Sequence, residues 1–412
     1  MSELRLVLER RQDGGVDAAI VEDDRLIDLQ RSPSADEVGE RLFAARVSRL
    51  DRHLAGAFVD IGSAWPEAFI LARDARYLGS GREGRKWSAE GQKGRGPSSA
   101  ALQEGQRLIV QGRREADGDK GPRVTAAIQV RGRYLVYQPH GRELTLSPRI
   151  RGRQRDEMSE RCARFHSDGG LIVRRLAVDA SDDELAGEVQ QLSSFWTKAE
   201  AGALAKGAST GGIAEPFDEF EILFWHLLDH RFAEIGIADD GLFTRCRKIV
   251  ELLPEGGQPE LVRLAADRPA FAQTGVNAEI EQAFASELPL AGGGRLIIEQ
   301  TAACVAIDVD GGGRAALDVD IEAAGEIGRQ LRLRNLGGTI IVDFVDLPTK
   351  PQRQRLDEAL RRSVRGDPSP VQIFPMSPLG IVQLSRARRG GSPLDRRTAV
   401  CPACSGSGRI AR

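Results

Sequence analysis

Residues 295 to 347 constrain this chain more than any other stretch. "RLIIEQ" and "CVAIDVD" read as two strands, "DIEAAGEIGRQLRLRN" carries apolar residues at helical spacing, and "GGTIIVDFVDL" reads as a further strand. A strand, helix, strand order calls for an α/β domain. In "CVAIDVD" the apolar residues at 305, 307 and 309 face one way, so Asp308 and Asp310 face the other. Asp343 again ends an apolar run, at the carboxyl end of a strand, where ligand sites of open α/β sheets lie. If the two strands are neighbours, the carboxylates of Asp308, Asp310 and Asp343 converge and repel one another unless a hard divalent cation sits among them. Mg²⁺ suits such a site, because it takes one or two protein carboxylates and completes its shell with water and substrate phosphate. The glycines at 311 to 313 leave room for a phosphate to approach. The alternative is that each Asp caps a turn or pairs with an arginine such as Arg314 or Arg334. Asp346 is then a supporting or surface residue.

A chain of 412 residues is too long for one small core and predicts two to four domains. Its 58 basic and 60 acidic side chains nearly cancel, but they are unevenly spread. From Arg73 to Arg133 there are 14 Lys/Arg against 7 Asp/Glu, and from Lys350 onward 13 against 4. Both blocks are candidate polyanion surfaces, with a solvated face or loop as the plainer reading. The start, "MSELRLVLERR", lacks the apolar core of a signal peptide, and no run approaches the roughly 20 apolar residues of a membrane span. The expectation is a soluble, cytoplasmic protein. Cys162, Cys246 and Cys304 are scattered, as suits a reducing compartment.

The first thirty residues read as a short hairpin. Brief strands with Gly-rich turns, from "VSRL" through "GAFVDIGS" and "AFILARD" to "GQRLIVQGRR" and "RVTAAIQV", predict a small barrel, interrupted by a long loop over "GSGREGRKWSAEGQKGRGPSSA". Phe58 and Phe69 sit on barrel strands with Trp65 between them; they either stack with unpaired bases or belong to the core. Next, "SDDELAGEVQQLSSFWTKAEAGALAKGA" opens with a cap signal and predicts a long helix. "GASTGGIAEP" is the clearest break and marks a domain boundary. Near the end, "CPACSGSG" gives Cys401 and Cys404 the spacing of half a zinc site. Cys162 and His166 in "RCARFH", or the same cysteines of a second protomer, would complete it. A redox pair is the competing reading, although no strand-before, helix-after setting surrounds it.

Together these motifs resemble the RNase E/G endoribonucleases of bacteria over nearly the whole chain. "GAFVDIGS", "EAFI" and "EGQRLIVQ" resemble that family's OB-fold RNA-binding domain. "KGPRVTAAIQVRGRYLVYQP" and "GLIVRRLAV" resemble its 5′-monophosphate sensor, "LIIEQTAACVAIDVD" with "EIGRQLRLRNLGGTIIVDFVDL" its DNase I-like catalytic domain, and "CPACSGSG" its zinc link. The resemblance implies an α+β multidomain architecture in which an OB-fold barrel is inserted in an RNase H-like subdomain. The implied ranges are 1–36 and 210–281 for that subdomain, 37–127 for the barrel and 128–209 for the sensor. The catalytic domain follows over 282–396 and the link over 397–412.

By the same resemblance, Asp308 and Asp343 are the catalytic metal ligands, and Asp310 stands where the family has Asn. Phe58 and Phe69 are the stacking aromatics, and Lys120 is a further RNA contact. Arg174, Arg175 and Gly121 belong to the sensor, and Cys401 and Cys404 to a zinc shared between two protomers. Three departures accompany it. Arg175 replaces a threonine, the segment "GGGRAALDVD" is shorter, and the chain stops eight residues after Cys404, like a short, RNase G-like member without the small C-terminal domain.

The expected activity is Mg²⁺-dependent hydrolysis of single-stranded RNA to 5′-phosphate and 3′-hydroxyl products by a zinc-linked homodimer acting in RNA processing or decay. Arg149 and Arg386 are candidate phosphate clamps. The alternatives are a non-catalytic RNA-binding scaffold dimer, and a Mg²⁺-dependent nuclease or phosphatase not selective for RNA. Degradosome-type partners are not readable from the sequence.

Overall fold

The computed structural model describes residues 3–34, 37–75, 102–116, 120–165, 169–301, 303–365, 367–387 and 401–403. The expected long loop, His166 and Cys404 lie outside them. Among the described residues, no helix is long and apolar enough to cross a membrane.

The amino-terminal stretch forms three antiparallel strands, Leu4–Arg10, Val16–Glu22 and Arg25–Arg31, where the pattern had predicted a single hairpin. The second turn is only Asp23-Asp24, both in the left-handed region (φ 47° and 61°). That is the geometry of a tight hairpin turn, built here without the glycine that normally announces it. Glu234–Ile237 then pairs parallel to Leu4–Arg10, and Glu260–Arg263 pairs parallel to that strand. One five-stranded sheet is thus made from two stretches far apart in sequence, with everything between them inserted.

Part of the insertion is a closed five-strand barrel of Leu42–Asp51, Gly56–Asp60, Ala68–Leu71, Arg123–Thr125 and Arg107–Arg114, shut by pairing of the first strand with the last, consistent with an OB-like fold. Its core is Phe43, Val47, Val59, Ile61, Ile70 and Val110. The segment read as the clearest break does not run free between domains. Gly211–Ile213 pairs with Leu42–Asp51 as an added strand, and Thr210 Oγ1 donates to Asp60 Oδ2 at 2.9 Å. Glycine composition marked a close backbone approach there, not a linker.

The long helix runs from Asp182 to Leu204, capped as its sequence predicts: Ser181 and Glu184 form a reciprocal capping box. Glu188 on this helix is buried, and its carboxylate accepts from the backbone N–H groups of Arg133, Tyr134 and Leu135 at 2.7 to 2.9 Å. That contact fixes the turn leading into the strand Leu135–Gln138 of a separate four-stranded sheet.

The carboxyl-terminal sheet has six strands, in the order Glu287–Pro289, Arg295–Gln300, Val305–Asp310, Gly338–Asp343, Ile381–Arg386, Val371–Ile373. Among the described residues its only parallel pair is the central one, Val305–Asp310 with Gly338–Asp343, joined through the helix Ala316–Leu333. This helix and Lys350–Ser363 cover one face. Val319, Ala323, Ile327 and Leu331 meet Ile307, Val309, Ile340 and Val342 in a continuous core. Gly328 lets the two helices close on each other, since a Cβ there would lie 2.6 Å from Ser363. The other face of the sheet carries Asp308 and Asp343 outward.

Candidate active site

The parallel register pairs Asp308 directly with Asp343. Side chains at paired positions of neighbouring strands project the same way, and the strands are about 4.8 Å apart. Both carboxylates are exposed, and neither has an ion-pair partner among the described residues. The row continues to Ile297 on one side and Ile381 on the other, both half-buried, so the two acids stand side by side between apolar neighbours. Two like charges at this spacing destabilise each other unless a cation joins them.

Asp310 does not join this pair. Its cross-strand partner is Arg295, whose guanidinium lies 3.1 Å from Asp310 Oδ2, and Asp310 Oδ1 accepts from Gly312 N–H at 3.1 Å. The expected third ligand is therefore committed to an ion pair and a turn. Consistently, no group of three or more His, Cys, Asp or Glu side chains among the described residues is gathered tightly enough to hold a metal. The donor set is a pair, which fits an ion that keeps much of its water, such as Mg²⁺. Arg314 and Arg334, the alternative partners for these acids, bind elsewhere: Arg314 to Glu322 at 2.7 Å, Arg334 to Gln330 at 2.7 Å.

One acid near the site was not singled out from the sequence. Asp320, fully buried on the helix Ala316–Leu333, accepts from Val345 N–H at 3.0 Å, two residues past Asp343. Its second oxygen is buried without a partner among the described residues, and burial pushes its pKa up to about 7. Helical spacing alone marks Asp320 only as an inward-facing position; the missing signal is which strand end lies beneath it.

On the barrel, Phe58 and Phe69 are cross-strand partners, with ring centroids 5.0 Å apart at 69°. Neither belongs to the barrel's core cluster. Phe69 is 8 % exposed, tucked against Gly56, where a Cβ would come within 2.5 Å of its ring; Phe58 stays partly open. The Arg49 guanidinium lies 3.6 Å from the Phe58 ring centroid, and that of Arg123 lies 5.6 Å from the Phe69 centroid. Lys120 is exposed nearby in sequence, and Gly121 presses against the Glu67 carbonyl, so both belong to the barrel edge. Trp65, by contrast, packs edge-on against Phe43 of the barrel core.

Arg174 and Arg175 lie elsewhere. Arg174 is buried, donating to Gly132 O at 2.9 Å and to Asp229 Oδ2 at 3.3 Å. Arg175 donates to the carbonyls of Leu228 and Asp229, both at 3.0 Å. Arg149 approaches the same place, 2.7 Å from His230 Nε2 and 4.0 Å from Asp229. Arg149 and Arg174 therefore approach one carboxylate, and Arg175 holds the backbone beside it. Burial and this positive field push His226 and His230 down to about 4. The spacing His226, Asp229, His230 at the end of the helix Glu219–Leu228 was the overlooked signal, since positions three and four apart share a helix face.

Two expectations are corrected. Arg386 is not a phosphate clamp on the surface: its side chain is 2 % exposed, forked onto Asp367 at 3.0 Å and bonded to Asn335 and the Leu336 carbonyl. Nor is Cys162 placed to complete a zinc site, because it is sealed in the core and burial raises its thiol pKa. Cys401 is exposed.

A family model for the ribonuclease E/G family matches residues 129–389 of this chain. The chain is 31% identical to the Ribonuclease E of Escherichia coli K12, over 98% of its own length and 39% of that protein. It is 30% identical to the Ribonuclease G of Salmonella typhimurium over 96% of its length and 81% of that protein. It is 29% identical to the Ribonuclease E of Haemophilus influenzae, spanning 44% of that relative. The chain thus covers less than half of these two ribonuclease E relatives and most of the ribonuclease G.

Proposed function

Because this chain belongs to the ribonuclease E/G family, we propose that it is an endoribonuclease that hydrolyses single-stranded RNA with Mg²⁺, leaving 5′-phosphate and 3′-hydroxyl ends, in RNA processing or decay in the cytoplasm. The observation that carries this reading is the in-register pair Asp308 and Asp343, exposed and without an ion-pair partner among the described residues. Mg²⁺ held by these two carboxylates would supply positive charge to the oxygens of the scissile phosphate and acidify water at neutral pH.

The chain's own residues do the rest. Asp308 and Asp343 define where the phosphate must sit, and the open sheet face gives an extended strand access to it. Phe58, backed by Phe69, offers a face for an unpaired base, while Arg49 and Arg123 beside the rings meet the backbone charge. Duplex RNA cannot present its bases to such a platform, which selects for single strands. The cluster of Arg149, Arg174 and Arg175 has Asp229 as counter-charge, so it retains a positive surplus toward phosphate. With Arg175 in place of the family's threonine, end recognition there rests on guanidinium charge rather than on a hydroxyl. Two protomers are joined through Zn²⁺ on Cys401 and Cys404 of each, the spacing of those cysteines being the support.

The test is cleavage of matched single-stranded RNA and DNA of one sequence with Mg²⁺, using the wild type and Asp343→Asn, with end-group analysis of the products. RNA cut to 5′-phosphates by the wild type alone is expected. Undiminished cutting by Asp343→Asn, or equal turnover of DNA, would overturn the assignment.

A further inference from the structure

A recess opens immediately beyond the carboxylate pair. Its floor is the segment that follows Asp343, and its far wall is the turn Met376 to Gly380 that leads into Ile381, the cross-strand partner of Asp343. The volume is about 260 Å³, just below the roughly 300 Å³ at which pockets for drug-sized ligands begin and enough for one planar ring system. Three features of its lining bear on an occupant. Leu379 is 85 % exposed at the rim, the most exposed large apolar residue described, with Met376 and Pro378 beside it. Asp346 supplies an exposed carboxylate, which accepts hydrogen bonds only. Arg353, from the helix Lys350–Ser363, supplies a guanidinium held in place by a 3.1 Å bond to Pro348 O.

The recess is built, not incidental. Ser377 N–H donates to Ile381 O at 2.9 Å and Gly380 N–H to Ser377 O at 3.0 Å, closing the turn. Gly380 takes φ 83°, which lets the turn reverse, and a Cβ there would lie 3.7 Å from Asp346 Oδ1. Below, the buried Asp320 pins Val345 N–H and so fixes the floor.

We infer that this recess receives the nucleobase next to the scissile phosphate, its face against Leu379 and its donor edge toward Asp346. The inference rests on the nuclease reading above and deepens it. A phosphodiester seated at Asp308 and Asp343 carries a nucleoside on either side, and the recess starts one residue past Asp343. A phosphate in the recess would meet the Asp346 charge as well as Arg353, whereas a base offers an apolar face, N–H donors for Asp346 and carbonyl or ring-nitrogen acceptors for Arg353 together. Guanine fits best, because its N1–H and N2–H₂ lie side by side and one carboxylate accepts both. The recess then sets a base preference at one position flanking the cut.

The experiment is cleavage of a single-stranded RNA pool randomised around one site, in Mg²⁺, with sequencing of the cut positions. The full chain, Asp346→Asn and Leu379→Ala are compared, and each variant's melting curve verifies folding. Expected is a purine preference, strongest for guanine, at one flanking position, flattened by Asp346→Asn. Leu379→Ala should raise KM by roughly three- to tenfold with a smaller change in kcat. Identical cut-site profiles and KM values in all three proteins overturn the recess while leaving the nuclease reading intact. Loss of dimer mass in Leu379→Ala without a change in profile assigns the rim to a second copy and also overturns it. If the wild type cuts nothing, the nuclease reading fails and the recess assignment with it.

Discussion

Asp308 and Asp343 occupy facing positions across the central, parallel strand pair of the carboxyl-terminal sheet. Like charges so placed repel, and a cation bound between them would turn the same pair into a stabilising feature. The melting temperature of the wild type should therefore rise with added Mg²⁺, by the equivalent of about 1.4 kcal/mol at tenfold over Kd. Asp343→Asn should melt higher than the wild type in chelator and lose that Mg²⁺ response. A Mg²⁺ shift of full size in the variant would remove the pair from metal binding.

Phe58 and Phe69 differ in burial although they face each other, and the two should respond differently to truncation. Phe58→Ala should weaken binding of a single-stranded oligonucleotide by about 1 to 3 kcal/mol while leaving the melting temperature near that of the wild type. Phe69→Ala should lose binding and stability together, since its ring fills the space over Gly56. Fluorescence anisotropy and thermal melts on both variants separate the effects; unchanged anisotropy for Phe58→Ala counts against the stacking role.

The buried fork of Arg386 on Asp367 predicts a stability effect with no electrostatic signature in RNA binding. Asp367→Asn leaves a buried guanidinium without its counter-charge and should cost about 3 to 5 kcal/mol in denaturant unfolding. The slope of log affinity against log salt should not move in the folded variant, whereas Arg123→Gln should make it shallower. A shallower slope for Asp367→Asn would put Arg386 back on the RNA surface.

Burial raises the pKa of Glu215 to about 7, the nearby positive charge of Arg131 opposing the shift. A carboxyl whose pKa is higher folded than unfolded contributes its stability below the unfolded value and loses it as pH rises through 7. Glu215→Gln should gain on the wild type between pH 5 and pH 8, by up to roughly 3 kcal/mol. His226 has the opposite sign: held near 4, it favours folding above its ordinary range and takes that stability away as pH falls from about 6.5 toward 4. Melting curves for the two proteins across this range check the first claim, and parallel pH profiles would refute it.

If zinc on Cys401 and Cys404 joins two protomers, removing it with a chelator should halve the native mass, and Cys401→Ser should give a monomer from the outset. A dimer that persists after verified zinc loss is the result that sinks the shared link.

What local pattern could reveal, it did. The helix from Asp182 announced itself through Ser181 and Glu184, because a capping box is satisfied within four residues. The outward facing of Asp308 followed from strict alternation, and the strand, helix, strand order around it gave the α/β unit. Other features were misread or missed for one reason: their partners are remote in sequence. Arg386 reads as a basic surface residue until Asp367 and the Leu336 carbonyl close around it. Asp310 reads as a third ligand until the antiparallel register puts Arg295 opposite it. Asp320 reads as one more helical polar residue until Val345 is laid against it.

The sequence by itself determined that Asp308 points outward from its strand and that a strand, helix, strand unit surrounds it, since these follow from periodicities of two and 3.6 residues. Only the tertiary structure decided that Asp308 and Asp343 are a pair and Asp310 is not, and which arginines are spent inside the protein. Strand order and register set those distances, and they are chosen by the packing of the whole core rather than by any neighbour along the chain.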